Sequence, residues 1–329
     1  MSIIKSHDVT LYGGYGTNIV LRPLCDDHLP LLYKWNTDPE VLYWTEGGTS
    51  DINLSYGPDT VHQIYGGDKE NILYFLIEAD SVPIGECWLQ KMNLPNVIAM
   101  YPEKLDVRRI DMSIGEKTYW NKGVGTQFIA MMIDFAFCGE CVDVLHCFCE
   151  DYNVRSRRMW EKHGFARILE EPLLPQPQKG QWQYHYRLTR QEFIERRRSR
   201  IPTDKRFTLP LAELHPSQLY ISEGKLRLVR EWFNPDNMDN FDPIPVKRFN
   251  GKILMTDGHT RAVAAYLAGL ESVPVSWDED ELDMRAYAVD VKWCDKEGIH
   301  SPIDLAGRIV PHKDYERLWL KRCMETAVD

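Results

Sequence analysis

A strand that runs into a glycine-containing turn and then into a helix is the feature that most constrains this chain. It occupies residues 110–126, which read Ile-Asp-Met-Ser-Ile-Gly-Glu-Lys-Thr-Tyr-Trp-Asn-Lys-Gly-Val-Gly-Thr. Gly123 and Gly125 allow backbone N–H groups to approach a diphosphate closely, and the N-terminus of the following helix adds a positive dipole. The third glycine of the dinucleotide fingerprint is absent. The pattern therefore predicts either a phosphate-binding turn of another kind or a simple tight turn.

A second helix with its own signature follows at residues 153–165, beginning Asn-Val-Arg-Ser and ending Met-Trp-Glu-Lys-His-Gly-Phe. Together the two motifs resemble the GNAT superfamily of acetyltransferases, which pairs a Gly-x-Gly pyrophosphate loop with an Asn-x-x-Ser/Ala helix ending in Gly-Phe. The resemblance implies an α/β (α+β) GNAT fold with a central mixed sheet, and acetyl-CoA (coenzyme A) as the cofactor. The residues that it places against the coenzyme are Met112, Ser113, Ile114, Lys122, Gly123, Val124, Gly125, Thr126, Asn153 and Ser156.

Within that superfamily, residues 18–190 resemble the aminoglycoside 6'-N-acetyltransferases. The matching segments are residues 32–42, Val82-Pro-Ile-Gly85, Asp111-x-x-Ile-Gly-Glu116, Tyr119-Trp-x-Lys-Gly-x-Gly-Thr126 and the helix that begins at Asn153. In those enzymes the aspartate that begins the first segment lies in the active site, which implies a catalytic and substrate-binding position for Asp111. The implied reaction is acetyl transfer to a primary amine of a small cationic substrate, by direct attack on the thioester. An aminoglycoside 6'-amine, and hence a role in antibiotic resistance, is the expected case.

The chemistry of that reaction suits a carboxylate on the strand. An amine must be neutral to attack a thioester, so Asp111 is a candidate to accept its proton, and a strand-edge charge is the alternative. Backbone N–H groups near Ser113 and Ile114 could polarise the thioester oxygen. Acidic and aromatic side chains in residues 35–68 suit ammonium groups, and Trp44 and Glu46 are the candidate substrate contacts.

Two positions depart from the family pattern. Trp120 stands where the family usually has Arg or Gln, three residues before the first glycine. Trp160 stands where many members have a tyrosine that protonates the departing thiolate, and an indole cannot act as an acid. The general acid is left open between Tyr152, water and an unprotonated leaving thiolate.

The sequence after Phe207 has a different character. Residues 209–275 resemble the ParB/sulfiredoxin-like nucleotide-binding fold, and especially its free serine kinase relatives with an Asp-Gly-His-x-Arg box. The resemblance implies a smaller α+β domain with a phosphate site and ATP, ADP or phosphate as a second ligand. A regulatory or dimerisation module is the alternative. The residues of the expected site are Glu223, Asp257, Gly258, His259, Thr260 and Arg261.

A strongly charged stretch at residues 191–200, interpreted as a solvated linker helix, and the Ile-Pro-Thr-Asp stop after it place the domain boundaries. An acetyltransferase domain is expected over residues 1–190, a charged and solvated linker over 191–206, and the second domain with a helical tail over 207–329. Asn250-Gly251 predicts a tight turn between two strands. The pairs Cys138/Cys141 and Cys147/Cys149 have metal-like spacing, but the second pair lies on a predicted strand, so packed thiols are favoured and no metal is expected.

The composition limits the classes of partner. The net charge is −10, without the basic excess of a nucleic-acid-binding protein, and no apolar run reaches the ~20 residues of a membrane helix. No signal peptide is evident, so a cytoplasmic protein with reduced thiols is expected. The expected partner is a small-molecule amine, with a homodimer left open. A protein N-terminus or metabolite amine as acceptor, and a nucleotide-binding protein or small-molecule kinase acting through the second domain, are the alternatives.

Overall fold

A computed structural model describes residues 3–14, 17–45, 61, 64–66, 71–173, 180–198 and 205–326, apart from the side chain of Asn240. The chain divides into two compact units, Met1–Phe193 and Ile194–Asp329. The division falls within a helix, Arg190–Arg197, where the sequence predicts the start of a linker. The boundaries expected from the sequence, at residues 190 and 207, stay a prediction.

Strands of the first unit form one sheet, and helices connect them. The strands are β1 (Leu11–Tyr12), β2 (Ile19–Pro23), β3 (Ile72–Ala79), β4 (Val82–Lys91), β5 (Val107–Ile114), β6 (Val144–Glu150), β7 (Ala166–Pro172) and β8 (Trp182–Thr189). The helices are α1 (Leu29–Asn36), α2 (Pro39–Thr45), α3 (Pro95–Ile98), α4 (Val124–Asp134), α5 (Val154–Lys162) and α6 (Arg190–Arg197). In the described residues the strand order is β1-β2-β3-β4-β5-β6-β8-β7. This arrangement confirms the predicted mixed α/β class.

The centre of the sheet is apolar on both faces. Strand β3 buries four consecutive residues, Tyr74–Ile77, as expected of a strand covered on both sides. Helix α4 presents one buried face that includes Phe128 and Met132, four residues apart, because that spacing brings side chains to the same side of a helix. The first turn of α6 joins this core, since Phe193 stacks on Phe137 with ring centroids 4.7 Å apart.

The sheet is split between its fifth and sixth strands, β5 and β6. Strands β5 and β6 run parallel and pair only at Val107–Val144 and Arg108–Leu145. Beyond Arg108, β5 keeps its antiparallel pairing with β4 through Ile114 but has no register with β6. Alternate backbone groups of β5 therefore point into the gap between the strands, because successive N–H groups of a strand point to opposite sides.

A chain of buried polar rings links β6 and β8. The Tyr101 hydroxyl lies 2.7 Å from His146 Nδ1, and His146 Nε2 lies 2.8 Å from His185 Nδ1. His185 Nε2 lies 3.3 Å from a Glu171 carboxylate oxygen. One tautomer satisfies the series, with Tyr101 donating to His146 and His146 donating to His185, and we assign it from this network. Burial lowers the pKa of His146 to about 4 and lowers that of His185 as well.

We expect these histidines to make the protein acid-sensitive. The pKa of His146 is about 4 in the folded protein and about 6.5 in an unfolded chain. The unfolded state therefore binds more protons between these values, and stability is lost as the pH falls. The loss should be about 2 to 3 kcal/mol by pH 4. Urea denaturation at pH 7 and pH 4.5 measures it, and His146→Gln should lose less stability over the same interval. Equal losses in both proteins would contradict the assignment.

The second unit has its own sheet and core. Its strands are β9 (Phe207–Pro210), β10 (Leu214–His215), β11 (Ile221–Ser222), β12 (Ile244–Phe249), β13 (Lys252–Met255), β14 (Ser272–Trp277) and β15 (Ile309–Val310). Its helices are α7 (Glu223–Trp232), α8 (His259–Leu267), α9 (Met284–Lys296), α10 (Pro302–Leu305), α11 (His312–Tyr315) and α12 (Lys321–Thr326). The larger sheet has the order β10-β13-β12-β14-β9. Asn250 and Gly251 turn between β12 and β13 with φ of 48° and 77°, as their sequence predicts.

Over the residues that the structure describes, we find no helix that combines the length and apolar character needed to cross a bilayer.

Candidate active site

A cleft of ≈ 760 Å³ opens in the first unit at the gap between β5 and β6. Its walls come from β4, β5 and β6, from α2, and from the N-terminal ends of α4 and α5. Most of the residues expected to bind coenzyme line it: Met112, Ser113, Ile114, Gly123, Val124, Gly125, Thr126, Asn153 and Ser156. Lys122 is outside this lining, and its ammonium lies 5.6 Å from the centre of the Tyr119 ring. The fold thus gathers two motifs that are separate in the sequence.

The glycine turn leaves an open concavity at the start of α4. Gly123 has a φ of 78°, which L side chains rarely adopt, and no side chain caps the helix that it precedes. Among the residues that the structure describes, a Cβ atom on Gly125 would meet only Ile114 Cδ1, at 3.7 Å. The first backbone N–H groups of a helix lack partners within it, so this end of α4 suits a diphosphate. Trp120 adds no charge here, because an indole is neutral, and its Nε1 donates to the Ile114 carbonyl at 2.7 Å.

Asn153 connects the second motif to α2. Its Oδ1 accepts from the Ser156 backbone N–H at 3.1 Å and caps α5, and its Nδ2 donates to the Trp44 carbonyl at 3.0 Å. The neighbouring Tyr152 hydroxyl donates to the Tyr43 carbonyl at 2.9 Å. Asn153 therefore supports the wall of the cleft through both Oδ1 and Nδ2. The hydroxyl proton of Tyr152, the candidate general acid, is used in a hydrogen bond to the Tyr43 carbonyl.

The Arg155 side chain lies between two indole rings. Its guanidinium carbon is 4.7 Å from the Trp44 ring centre and 4.8 Å from the Trp120 ring centre. All three residues line the cleft. Stacking of a planar guanidinium on both rings joins α2, α5 and the turn before α4.

We expect Arg155→Met to destabilise the protein by about 1 kcal/mol, because exposed cation–π contacts contribute about 0.5 to 1 kcal/mol each. Chemical denaturation measures this loss. Arg158→Met is the matched control, since Arg158 is also an exposed arginine of α5 that lines the cleft. Equal stability changes in the two variants would contradict a specific contribution of the stack.

Asp111 lies on β5 opposite Trp88 of β4, and its side chain is 26% exposed. Its Oδ2 is 2.8 Å from Arg109 Nε, but that N–H donates to Gln90 Oε1 at 3.1 Å. In the described part of the chain, Oδ2 therefore has an ionic neighbour without a well-directed hydrogen bond. Burial raises the pKa of Asp111, although the charge of Arg109 opposes the rise. A carboxylate of raised pKa is better matched to accepting a proton from an amine.

Glu86 is a second carboxylate in the cleft, which the sequence analysis did not single out. It lies on β4 opposite Ser113 and is only 1% exposed. It accepts hydrogen bonds from the Tyr65 hydroxyl and from Asn36 Nδ2, the latter at 3.3 Å. Burial raises the pKa of Glu86 to about 7. A charged residue within the apolar stretch Val82–Leu89, directly after Gly85, was the available signal.

The remaining predicted residues of the first unit fall in different places. Trp44 lines the cleft, whereas Glu46 lies outside the described residues. Trp160 is buried at 2% exposure and also lines the cleft, so an indole stands where the family tyrosine would supply a proton. The thiols of Cys147 and Cys149 are buried, and burial raises the pKa of both.

The phosphate-site residues expected in the second unit gather at the start of α8, except Glu223, which is the exposed first residue of α7. Gly258 precedes α8 with a φ of 80°, and exposed Asp257 comes just before it. His259 accepts a hydrogen bond from the Ser217 backbone N–H at 3.0 Å, and burial lowers its pKa to about 4. His259 is therefore neutral and gives a phosphate no positive charge. Thr260 follows, and Arg261 Nη2 lies 3.4 Å from the Pro243 carbonyl.

The split sheet, the open helix N-terminus and the carboxylate lie together in one cleft, as expected of a coenzyme-dependent acyltransferase. Residues 18–166 match the family model described as acetyltransferase (GNAT) domain. This match lies within the first unit, and the chain is an N-acetyltransferase whose cofactor is acetyl-CoA.

Individual proteins similar to this chain share less than a quarter of its residues over the matched region. The chain is 24% identical over 157 residues to aminoglycoside N(6')-acetyltransferase type 1 of Klebsiella pneumoniae, covering 46% of this chain and 75% of that protein. The AAC(6')-Ib structure with ribostamycin and coenzyme A has 22% identity and a TM-score of 0.44, covering 56% of this chain and 99% of its own. The structure of spermidine N-acetyltransferase from Vibrio cholerae with CoA and spermine has 14% identity and a TM-score of 0.44. The match covers 54% of this chain and 98% of the chain in that structure.

Proposed function

We propose that the chain acetylates a primary amine of a small polycationic substrate, with an aminoglycoside 6'-amine as the preferred acceptor. The observation that carries this proposal is the position of Asp111, on the open part of β5 within the same cleft as the glycine turn. The similarity to aminoglycoside N(6')-acetyltransferases supports the choice of acceptor. Trp44 and Trp88 also line this cleft and offer aromatic faces to a cation.

The proposed chemistry assigns separate tasks to the residues of the cleft. Bound acetyl-CoA supplies the acetyl group as a thioester. The start of α4 binds phosphate through backbone N–H groups. Ser113 and Ile114 lie where β5 no longer pairs with β6, so whichever of their two N–H groups faces the gap can polarise a carbonyl oxygen. Asp111 orients the incoming ammonium group and accepts its proton, which leaves a neutral nucleophile.

The test is acetyl-CoA consumption by the full chain against a panel of amines. We expect turnover of aminoglycosides that carry a 6'-amine and none of their 6'-hydroxyl analogues. Turnover of peptides with free N-termini, or of metabolite amines, without turnover of any aminoglycoside would replace the acceptor while keeping the reaction. Binding of coenzyme A with no turnover of any amine would refute the proposed reaction.

For the second unit we propose a ParB/sulfiredoxin-like domain, in residues 207–329, that binds phosphate at the start of α8. Gly258 and Arg261 support this, since a left-handed glycine before a helix and a nearby guanidinium suit an anion. Calorimetric titration of the full chain with ATP, ADP and inorganic phosphate tests it. Loss of binding in Arg261→Ala is the expected result, and no binding to the unaltered chain would refute it.

A further inference from the structure

Glu86 and Asp111 lie on the same face of the sheet. In the register of β4 and β5, Glu86 is opposite Ser113 and Trp88 is opposite Asp111. Residues two apart on a strand share a face, so the two carboxylates are diagonal neighbours across the strand pair. Both line the cleft. Glu150 of β6 also lines the cleft, so Glu86 and Asp111 are the two of its three acidic residues that share one face of the β4–β5 pair.

The charge of Glu86 has no cationic partner among the described residues. Its hydrogen-bond donors, Tyr65 and Asn36, are neutral groups, and the neighbouring arginine, Arg109, is paired with Asp111. A buried carboxylate normally has a counter-ion, because removing an ion from water costs several kcal/mol. The raised pKa of Glu86 is consistent with that missing partner.

Aromatic rings surround the space next to this carboxylate. Tyr65 and Trp88 both line the cleft and lie edge to face, with ring centroids 6.4 Å apart. Trp44 contributes a third ring to the lining. A carboxylate among aromatic faces favours an ammonium group over a neutral group of the same size.

We propose that Glu86 forms a second ammonium subsite, so that the acceptor carries two ammonium groups about 7 to 8 Å apart, one bound at Glu86 and the reacting one at Asp111. This inference rests on the proposed function, because it assigns a substrate to the same cleft. Glu86 then determines specificity and does not take part in proton transfer from the reacting amine. The substrate class is a diamine or polyamine, and a monoamine fills only one of the two positions.

The experiment compares 1,5-diaminopentane with n-pentylamine, which share one reacting end. Calorimetry on the full chain saturated with coenzyme A should give an affinity for the diamine about ten-fold or more above that for the monoamine. In Glu86→Gln the ratio of the two affinities should fall to about one, since the amide keeps the shape but loses the charge. In the acetyl-CoA assay the same variant should raise KM for the diamine more than it changes kcat.

Glu78→Gln is the matched control, because Glu78 lies on β3, is paired with Arg22 and is not among the residues lining the cleft. It should keep the preference for the diamine. Thermal melting would reveal whether Glu86→Gln folds. If it does not, the ratio of the diamine and monoamine affinities in the unaltered protein still tests the subsite. A ratio near one in that protein, or an undiminished ratio in a folded Glu86→Gln variant, would overturn the subsite.

Failure of the proposed function gives a different pattern. A diamine preference that depends on Glu86, without acetylation of any amine, would keep the subsite and reject the reaction. Acetylation of both amines with equal affinities would keep the reaction and reject the subsite.

Discussion

Replacing Asp111 by asparagine should lower kcat/KM by about 100-fold or more, because the amide preserves the shape of the side chain but cannot accept a proton. Such a loss corresponds to about 2.7 kcal/mol of transition-state stabilisation. The pH profile gives an independent readout. Burial raises the pKa of Asp111, so in the unaltered enzyme activity should fall on the acid side as this carboxylate is protonated. The acid limb should be missing in the variant.

Asp80→Asn is the matched control for that experiment. Asp80 is an exposed aspartate in the turn between β3 and β4, with a φ of 51° that asparagine also tolerates. It should leave kcat/KM and the pH profile as they are. If Asp111→Asn retains both the rate and the acid limb, Asp111 is not the base.

Filling the concavity at Gly125 should abolish coenzyme binding without unfolding the protein. In Gly125→Leu the new side chain would project from the first turn of α4, where the described atom nearest to a Cβ position is Ile114 Cδ1, at 3.7 Å. We expect coenzyme A affinity to fall by about 100-fold or more, since the side chain occupies the approach to the helix N-terminus. Leucine favours helix by about 1 kcal/mol relative to glycine, so the melting temperature should not decrease.

A pair of alanine variants separates backbone strain from loss of the ligand site. Gly123 and Gly251 both have φ near 78° and open space around the position of a Cβ atom. Gly123→Ala and Gly251→Ala should each cost about 1 to 2 kcal/mol. Only Gly123→Ala should weaken coenzyme A binding.

Undiminished coenzyme A affinity in Gly125→Leu would show that the glycine turn is not the phosphate site.

Much of the first unit could be predicted from local sequence. The paired strands β3 and β4, the helix opened by Gly123 and the helix capped by Asn153 each carry signals within a few residues, such as apolar runs, a left-handed glycine and a capping side chain. Strand β7 carries no such signal. Its residues are mostly exposed or half-buried, so the sequence has no apolar alternation to indicate a strand.

The site was predicted in part, and the missing part depends on tertiary contacts. Asp111 and the glycines belong to contiguous motifs, so their grouping follows from the resemblance. The role of Arg155 needs Trp44 and Trp120 on either side of it, and these residues come from separate elements. Glu86 is likewise defined by Tyr65 and by the register of β4 against β5, which no local pattern encodes.

The two-residue pairing of β5 with β6 has a consequence for how the enzyme responds to its ligands. A sheet interrupted between β5 and β6 consists of two leaves, β1–β5 and β6–β8, joined at one end by four residues. A molecule that hydrogen-bonds to β5 and packs against β6 bridges the leaves, and by mass action it stabilises the folded sheet by RT ln(1 + [L]/Kd). Amide hydrogen exchange in the part of β5 beyond Arg108 should therefore become slower as the cofactor concentration rises.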